Sequence, residues 1–223
     1  MTGFDRARRG MFPSLAVAAA VSIAAPALGQ ASGTVRAWGY NASGVNDVPS
    51  DLGACVSVSA GDLLTVALRI DGTVRAWGYN AFGQTDVPSD LGACMSVSAG
   101  GYHTVALRTD GTVRAWGNNQ YGQTDVPSDL GACMSVSGGL YHTVALRTDG
   151  TVRAWGYNAY GQTDVPSDLG TCMSVLAGPY HTLALRTDGT VRAWGNNEYG
   201  QVDVPSDLGA CMSVSAGGYH TVA

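Results

Sequence analysis

Trp38, Trp77, Trp116, Trp155 and Trp194 each stand 39 residues after the last, and Cys55, Cys94, Cys133, Cys172 and Cys211 keep the same step. One unit, in one copy DGTVRAWGNNQYGQTDVPSDLGACMSVSGGLYHTVALRT, has been repeated nearly five times. A fixed period of this length marks a propeller, solenoid or array. It also constrains function. Chemistry needs one unlike cluster of groups, whereas a nearly uniform ring or row offers a broad surface.

The residues ahead of the repeats have a different character. Arg6, Arg8 and Arg9 form a positive start, an apolar run follows from Leu15 to Leu28, and Ala27 and Gly29 supply small residues before Gln30. This reads as a secretory signal peptide over residues 1–29, its apolar run being shorter than the roughly 20 residues a membrane span needs. Arg8-Arg9 resembles a twin-arginine export signal, although the general secretory route suits the segment better. The expected destination is outside the cytoplasm: secreted, periplasmic or at the cell surface. No second long apolar stretch follows, so no integral membrane segment is expected in residues 30–223.

Without Asp5, Arg6, Arg8 and Arg9, 9 arginines face 16 acids, a net charge of −7, and lysine is absent. That removes Schiff-base chemistry, and an acidic chain repels nucleic-acid phosphates and anionic lipid. The cysteines number one per unit, and equivalent positions in neighbouring units stand farther apart than the about 7 Å a disulfide tolerates. Free buried thiols are therefore expected. Their spacing matches no zinc signature, and no cofactor or metal is expected.

Within a unit three runs read as strands: Thr112–Trp116, Cys133–Ser137 and His142–Arg147, rich in Val and Thr and bounded by Gly and Pro. Asp71-Gly72, Asp110-Gly111, Asp149-Gly150 and Asp188-Gly189 lie between strand-like runs, a hairpin signal in which both turn positions favour φ > 0. No window keeps a helical apolar period unbroken by Gly or Pro. Each unit is thus a three-stranded meander followed by a longer link. Stacked about an axis, such sheets cover one another's faces, with the small residues of CMSVSAG innermost. The fold expected is an all-β propeller of about five three-stranded blades filling residues 30–223.

The pattern AWGxNxxGQxxVP followed by SxGGxHTVALRxDGxV resembles the repeat of the regulator of chromosome condensation family. Its short links are similar to those of the secreted propeller-type β-lactamase inhibitory proteins. The resemblance covers Gly33 to Ala223. It implies a seven-bladed ring, which at 39 residues per blade would need about 273. This chain departs from that number. Its first unit opens with TVRAW and its last stops inside HTVA, so the two ends could join as a fifth blade and close the ring. An open arc, part of a seven-bladed ring and liable to dimerise through its unpaired edge, is the alternative.

Strand parity places the Gly-Gly-Tyr-His corners and the start of each link on one face, here the upper. The Asp-Gly turns and Ser-Asp-Leu-Gly segments take the lower. The upper face collects Tyr102, Tyr141, Tyr180 and Tyr219 from the corners and Phe82, Tyr121, Tyr160 and Tyr199 from the links. Aromatic side chains on rigid loops are common interface anchors, and these residues, with the chain's single glutamate Glu198, form the expected partner-binding set. They could instead pack between blades. His103, His142, His181 and His220, the Gln84 series and the tryptophans read as structural groups. Arg75, Arg114, Arg153 and Arg192 read as solvated outer-edge charge.

The departures from uniformity stand out: Asp62-Leu63-Leu64 for Gly-Tyr-His, Ser43 and Val45 in the first link, and Leu140 and Pro179 at two corners. They assemble no asymmetric catalytic set, so no enzyme activity is expected. The sequence favours an exported propeller that binds a protein ligand. The resemblance implies inhibition of an extracellular hydrolase as one form of that function. The alternative is a repeat module of a larger cell-surface or adhesive protein.

Overall fold

The computed structural model describes residues 33–223; the expected signal peptide lies outside them. The first complete blade is β1 (Cys55–Ala60), β2 (Leu64–Arg69) and β3 (Val74–Gly78). The second is β4 (Cys94–Ala99), β5 (His103–Arg108) and β6 (Val113–Gly117), and the third β7 (Cys133–Gly138), β8 (His142–Arg147) and β9 (Val152–Gly156). The fourth is β10 (Cys172–Ala177), β11 (His181–Arg186) and β12 (Val191–Gly195), and a two-stranded sheet of β13 (Ser215–Ala216) and β14 (Thr221–Val222) follows. Each full blade is an antiparallel meander in sequence order. In the four full blades the expected strands are present within about a residue at each end, while in the last unit the run from Cys211 shortens to Ser215–Ala216.

Why each run is a strand follows from what surrounds it. His103–Arg108 is buried along nearly its whole length, as a middle strand covered on both faces must be. β4 pairs Cys94 with Arg108 and then slips to Ser96 with Leu107. The bulge turns Met95 outward, 46% exposed, while Cys94 and Val97 stay buried. The Asp-Gly turn differs from expectation. Only the glycine has positive φ, Gly111 at 82°, and no non-glycine residue does. Gly111 N–H donates to Arg108 O and Arg108 N–H to Thr112 O, while the Asp110 carboxylate accepts from the Thr112 backbone N–H and hydroxyl. The loop is longer than a two-residue hairpin, so a tight turn followed by one left-handed glycine closes it.

The cores lie between blades. Val105, Leu107 and Val113 of the second blade pack against Leu130, Cys133, Val136, Ala145 and Trp155, which lead into or belong to the third. The first-to-second and third-to-fourth junctions repeat this arrangement. At the axis, serine hydroxyls staple successive inner strands: Ser59 accepts from Ala99 N–H at 2.9 Å, Ser98 from Gly138 N–H at 3.0 Å and Ser137 from Ala177 N–H at 3.0 Å. Leu176 replaces the next serine and is buried instead. The cysteines are unpaired, as expected, and burial pushes the Cys94, Cys133 and Cys172 thiols up.

The ring does not close. Among the described residues, 34–38 form no ladder with β14; Gly33 makes an isolated bridge to Cys55, and Trp38 is 86% exposed where Trp77, Trp116, Trp155 and Trp194 are buried. Each blade follows the last through the same packing, so the turn per step is fixed. These steps do not bring the last blade round to the first, and the expected closure gives way to an open arc.

Candidate protein-interaction face

A polar joint repeated at the junctions after the second, third and fourth blades sets the upper face. The Thr143 hydroxyl donates to Gln123 O at 2.8 Å and therefore accepts the Nε2 proton of His103, 2.9 Å away in the preceding blade. His142 meets Thr182 in the same way at 3.0 Å, and Thr182 donates to Gln162 O. The histidine proton is thus held on Nε2, and Nδ1 of His103, His142 and His181 has no partner. Burial lowers His103, His142 and His181 to about 4, 3 and 4, with the neighbouring imidazoles adding to the effect at His142 and His181. A Cβ on Gly139 would stand 2.4 Å from the His142 ring, which explains the glycine at that corner. These are structural histidines, as read from the sequence. Leu64 takes their place in the first unit and is fully buried.

The same joint anchors the links. The Gln123 side-chain carbonyl accepts from Tyr121 N–H at 2.9 Å and its amide donates to Asn118 at 2.8 Å, while Trp155 Nε1 donates to Gln123 O at 3.1 Å. In the first link Val45 O serves Trp77 Nε1 and the Thr65 hydroxyl. Asn119 accepts from Thr124 N–H and donates to Asp125, so the link is a rigid shelf holding its aromatic ring outward.

On that shelf the predicted aromatics meet in pairs, link against corner. Phe82 and Tyr102 have centroids 6.0 Å apart, Tyr121 and Tyr141 5.2 Å, Tyr160 and Tyr180 5.4 Å, and Tyr199 and Tyr219 5.1 Å, all edge-on. Across blades, Tyr102 and Tyr141 stack at 5.5 Å and 10°, and Tyr141 approaches Tyr180 at 6.4 Å. Tyr79 and Tyr157, not singled out by sequence, extend the same network: Tyr157 lies 4.8 Å from Tyr121. Their signal was the alternation Tyr79, Asn118, Tyr157, Asn196 after each Trp-Gly. Where tyrosine stands, Gln84 and Gln162 lose the asparagine partner and their amide nitrogens are orphaned.

Phe82, Tyr121, Tyr160, Tyr199 and Tyr219 remain 40–63% exposed while Tyr102, Tyr141 and Tyr180 are half-buried between them. Burial, then the neighbouring phenols Tyr102 and Tyr180, pushes Tyr141 up to about 12, so that phenol is uncharged at neutral pH. Both readings of these residues thus describe one arrangement: they pack on each other and still present ring edges to solvent. Glu198 is exposed on the last shelf beside Tyr199.

Charge separates the faces. Arg75, Arg114, Arg153 and Arg192 are solvated, as the sequence reading expected, but each is also paired. Each crosses to the carboxylate of Asp51, Asp90, Asp129 or Asp168, at 3.0, 3.2, 3.0 and 2.9 Å. The third strand and the Ser-Asp-Leu-Gly segment run side by side, which sequence separation concealed. Such exposed pairs add little stability. With Arg69, Arg108, Arg147 and Arg186 at the turn ends of the second strands, these cations stand on the lower side. The upper loops carry Asp62, Asp86, Asp125, Asp164, Glu198 and Asp203 and no Lys or Arg. Among the described residues no group of three His, Cys, Asp or Glu is placed to hold a metal, and no helix is long and apolar enough to cross a membrane.

The repeat described as Regulator of chromosome condensation (RCC1) repeat matches residues 55–84, 96–123, 135–162 and 174–201. No curated protein matches the chain. Among solved structures it is similar to the CRINKLY WD40 ectodomain of the Arabidopsis thaliana receptor kinase ACR4, with TM-score 0.66 and 23% identity over 82% of this chain and 66% of that one. The entire ectodomain of the Physcomitrella patens receptor kinase CR4 gives 0.65 and 25% over 82% and 51%. Yeast RCC1 (Prp20), solved bound to Kap60, gives 0.64 and 19% over 75% and 53%. The chain spans about half the length of the last two. Four matched repeats, each forming one blade with its tryptophan buried in the junction with the preceding unit, place this chain in the regulator of chromosome condensation repeat family.

Proposed function

We propose that this is an exported protein-binding propeller that grips its ligand with the upper aromatic face. The observation that carries the reading is the run of touching rings from Tyr79 to Tyr180, held on hydrogen-bonded shelves and partly open to solvent. Rigid aromatic anchors lose little conformational entropy on binding and supply large contact areas. Phe82, Tyr102, Tyr121, Tyr141, Tyr160, Tyr180, Tyr199, Tyr219 and Glu198 form the contact set. Yeast RCC1, solved with Kap60, is a protein of this fold with a protein partner. Similarity of the short links to the β-lactamase inhibitory propellers makes an extracellular hydrolase the first ligand to try. The family's architecture and the symmetry of this face favour binding over catalysis.

The test is capture from culture medium on the immobilised chain, alongside Tyr121→Ala/Tyr160→Ala and a lower-face control, Asp90→Ala/Asp129→Ala. Loss of the captured protein with the tyrosine variant alone is expected; equal capture by all three refutes the face assignment. Sequencing the N-terminus of the exported chain should find Gln30 first. A second reading, a module of a larger surface protein, is favoured by the unpaired edge and by the likeness to receptor ectodomains. It predicts that the chain is recovered covalently continuous with further sequence.

A further inference from the structure

Asp62 breaks the symmetry of the upper face at its most enclosed point. Equivalent corner positions around the axis are Asp62, Gly101, Leu140, Pro179 and Gly218. Leu140 is buried, and its N–H donates to Pro179 O. Asp62 Oδ2 lies 3.2 Å from where a Cβ on Gly101 would stand, beside the Leu140 side chain. The first blade's carboxylate therefore reaches across the axis to the second and third corners. It is also among the charges felt by Tyr180, whose phenol is raised by burial first, then by Tyr160, Tyr219 and Tyr157, and then by Asp62.

Both Asp62 oxygens are shut off from solvent and neither has a hydrogen-bond partner. Burial lifts the carboxyl to about 6, so it is still an anion at pH 7.5. A buried anion without donors is costly and is ordinarily paired. Yet the upper loops contain no Lys or Arg, and the arginines of the blades stand on the other face. The missing cation is not supplied by the described residues.

We propose that Asp62 anchors an arginine side chain of the protein partner, inserted at the mouth of the axis among Tyr102, Tyr141 and Tyr180. Arginine fits better than lysine. Its planar guanidinium can fork both carboxylate oxygens once a turn of the part-exposed Asp62 side chain brings them to the mouth, and it gives up hydration more readily than an ammonium. The stacked Tyr102–Tyr141 pair supplies aromatic surface on the same face. This inference rests on the upper face being the binding face and names what that face recognises.

The test titrates the full chain with N-acetyl-arginine amide, its lysine counterpart and the neutral isostere N-acetyl-citrulline amide, followed by calorimetry and by the NMR signals of the tyrosines. The arginine probe should bind with a Kd of about 1–10 mM and shift Tyr102, Tyr141 and Tyr180, with lysine weaker and citrulline inert. Asp62→Asn, and Asp62→Gly, which restores the residue found at Gly101, should weaken the arginine probe at least about tenfold. Equal binding of arginine and citrulline, no binding, tighter binding of lysine, or unchanged affinity in both variants overturns it. If that happens while Tyr121→Ala/Tyr160→Ala still abolishes protein capture, the face assignment stands and only the anchor falls.

Discussion

Replacing His142 by leucine tests whether the buried imidazoles make the arc labile to acid. His103, His142 and His181 are shielded from solvent and lowered, by burial first, to about 4, 3 and 4. An unfolded histidine takes up its proton near pH 6.5, the folded one only near pH 4. Between these values the unfolded chain binds more protons, and stability falls with pH. By pH 5 each group costs about 2 kcal/mol, and the three together about 6 kcal/mol. Asp62 acts in the opposite sense, its carboxyl raised to about 6, and regains about 1 kcal/mol by pH 5. The net loss of about 5 kcal/mol rivals the entire stability of many domains. Leucine is the natural substitute, since Leu64 already fills this site in the first unit. His142→Leu should change stability at pH 8 by no more than about 1 kcal/mol, and should reduce the loss on going to pH 5 to about 3 kcal/mol. Urea unfolding followed by tryptophan fluorescence across that range measures both. An identical loss in wild type and variant, or a wild-type stability that climbs on acidification, refutes the reasoning.

Asp62→Asn should stabilise the chain by about 2–3 kcal/mol at pH 8. The raised carboxyl favours folding while protonated, below its unfolded value, and opposes it once pH passes about 6, so the gain should vanish below pH 4; a constant difference across pH would exclude the buried anion as its source. Thr143→Val removes the hydroxyl between His103 and Gln123 and should cost about 2 kcal/mol, seen as a lower urea midpoint. Gly139→Ala places a methyl 2.4 Å from the His142 ring and should cost about 3 kcal/mol; thermal unfolding matching wild type would show the corner to be slack. Sedimentation should reveal self-association rising with concentration through the unpaired edge at β14, and a strictly monomeric arc would contradict it.

Much of this was legible because each unit states its rules repeatedly. The Val-Thr runs, the small inner residues and the glycine corners located every strand, and strand parity grouped the eight aromatics before any distance was known. The fully buried imidazoles of the second, third and fourth blades likewise match the reading of the histidines as structural, whereas His220, at the uncovered end of the arc, is exposed. What was hidden depended on spatial neighbours. Asp90 and Arg114 are 24 residues apart and meet because the link returns along the outer strand. The Asp-Gly turn was misjudged because the Asp110 carboxylate, not its backbone, bends the chain. Nothing singled out Tyr79 and Tyr157 until their rings met the others, and Asp62 stood out as a departure whose burial only the neighbouring corners create. Ring closure could not be settled from complementary ends, since the angle between blades is a property of packed side chains.

The joints between blades link residues 40 apart: His103 to Thr143, His142 to Thr182, Ser98 to Gly138. Because every joint links the same two positions of neighbouring copies, excising or duplicating a 39-residue stretch rejoins like partners, the exceptions being units that carry Leu64 or Leu176. Unequal recombination between copies would therefore leave no faulty seam, and arrays of different length should all fold. What such events rearrange is the order of unlike residues around the mouth, Asp62, Leu140 and Pro179, so that genetic slippage edits what the face recognises while leaving its scaffold intact.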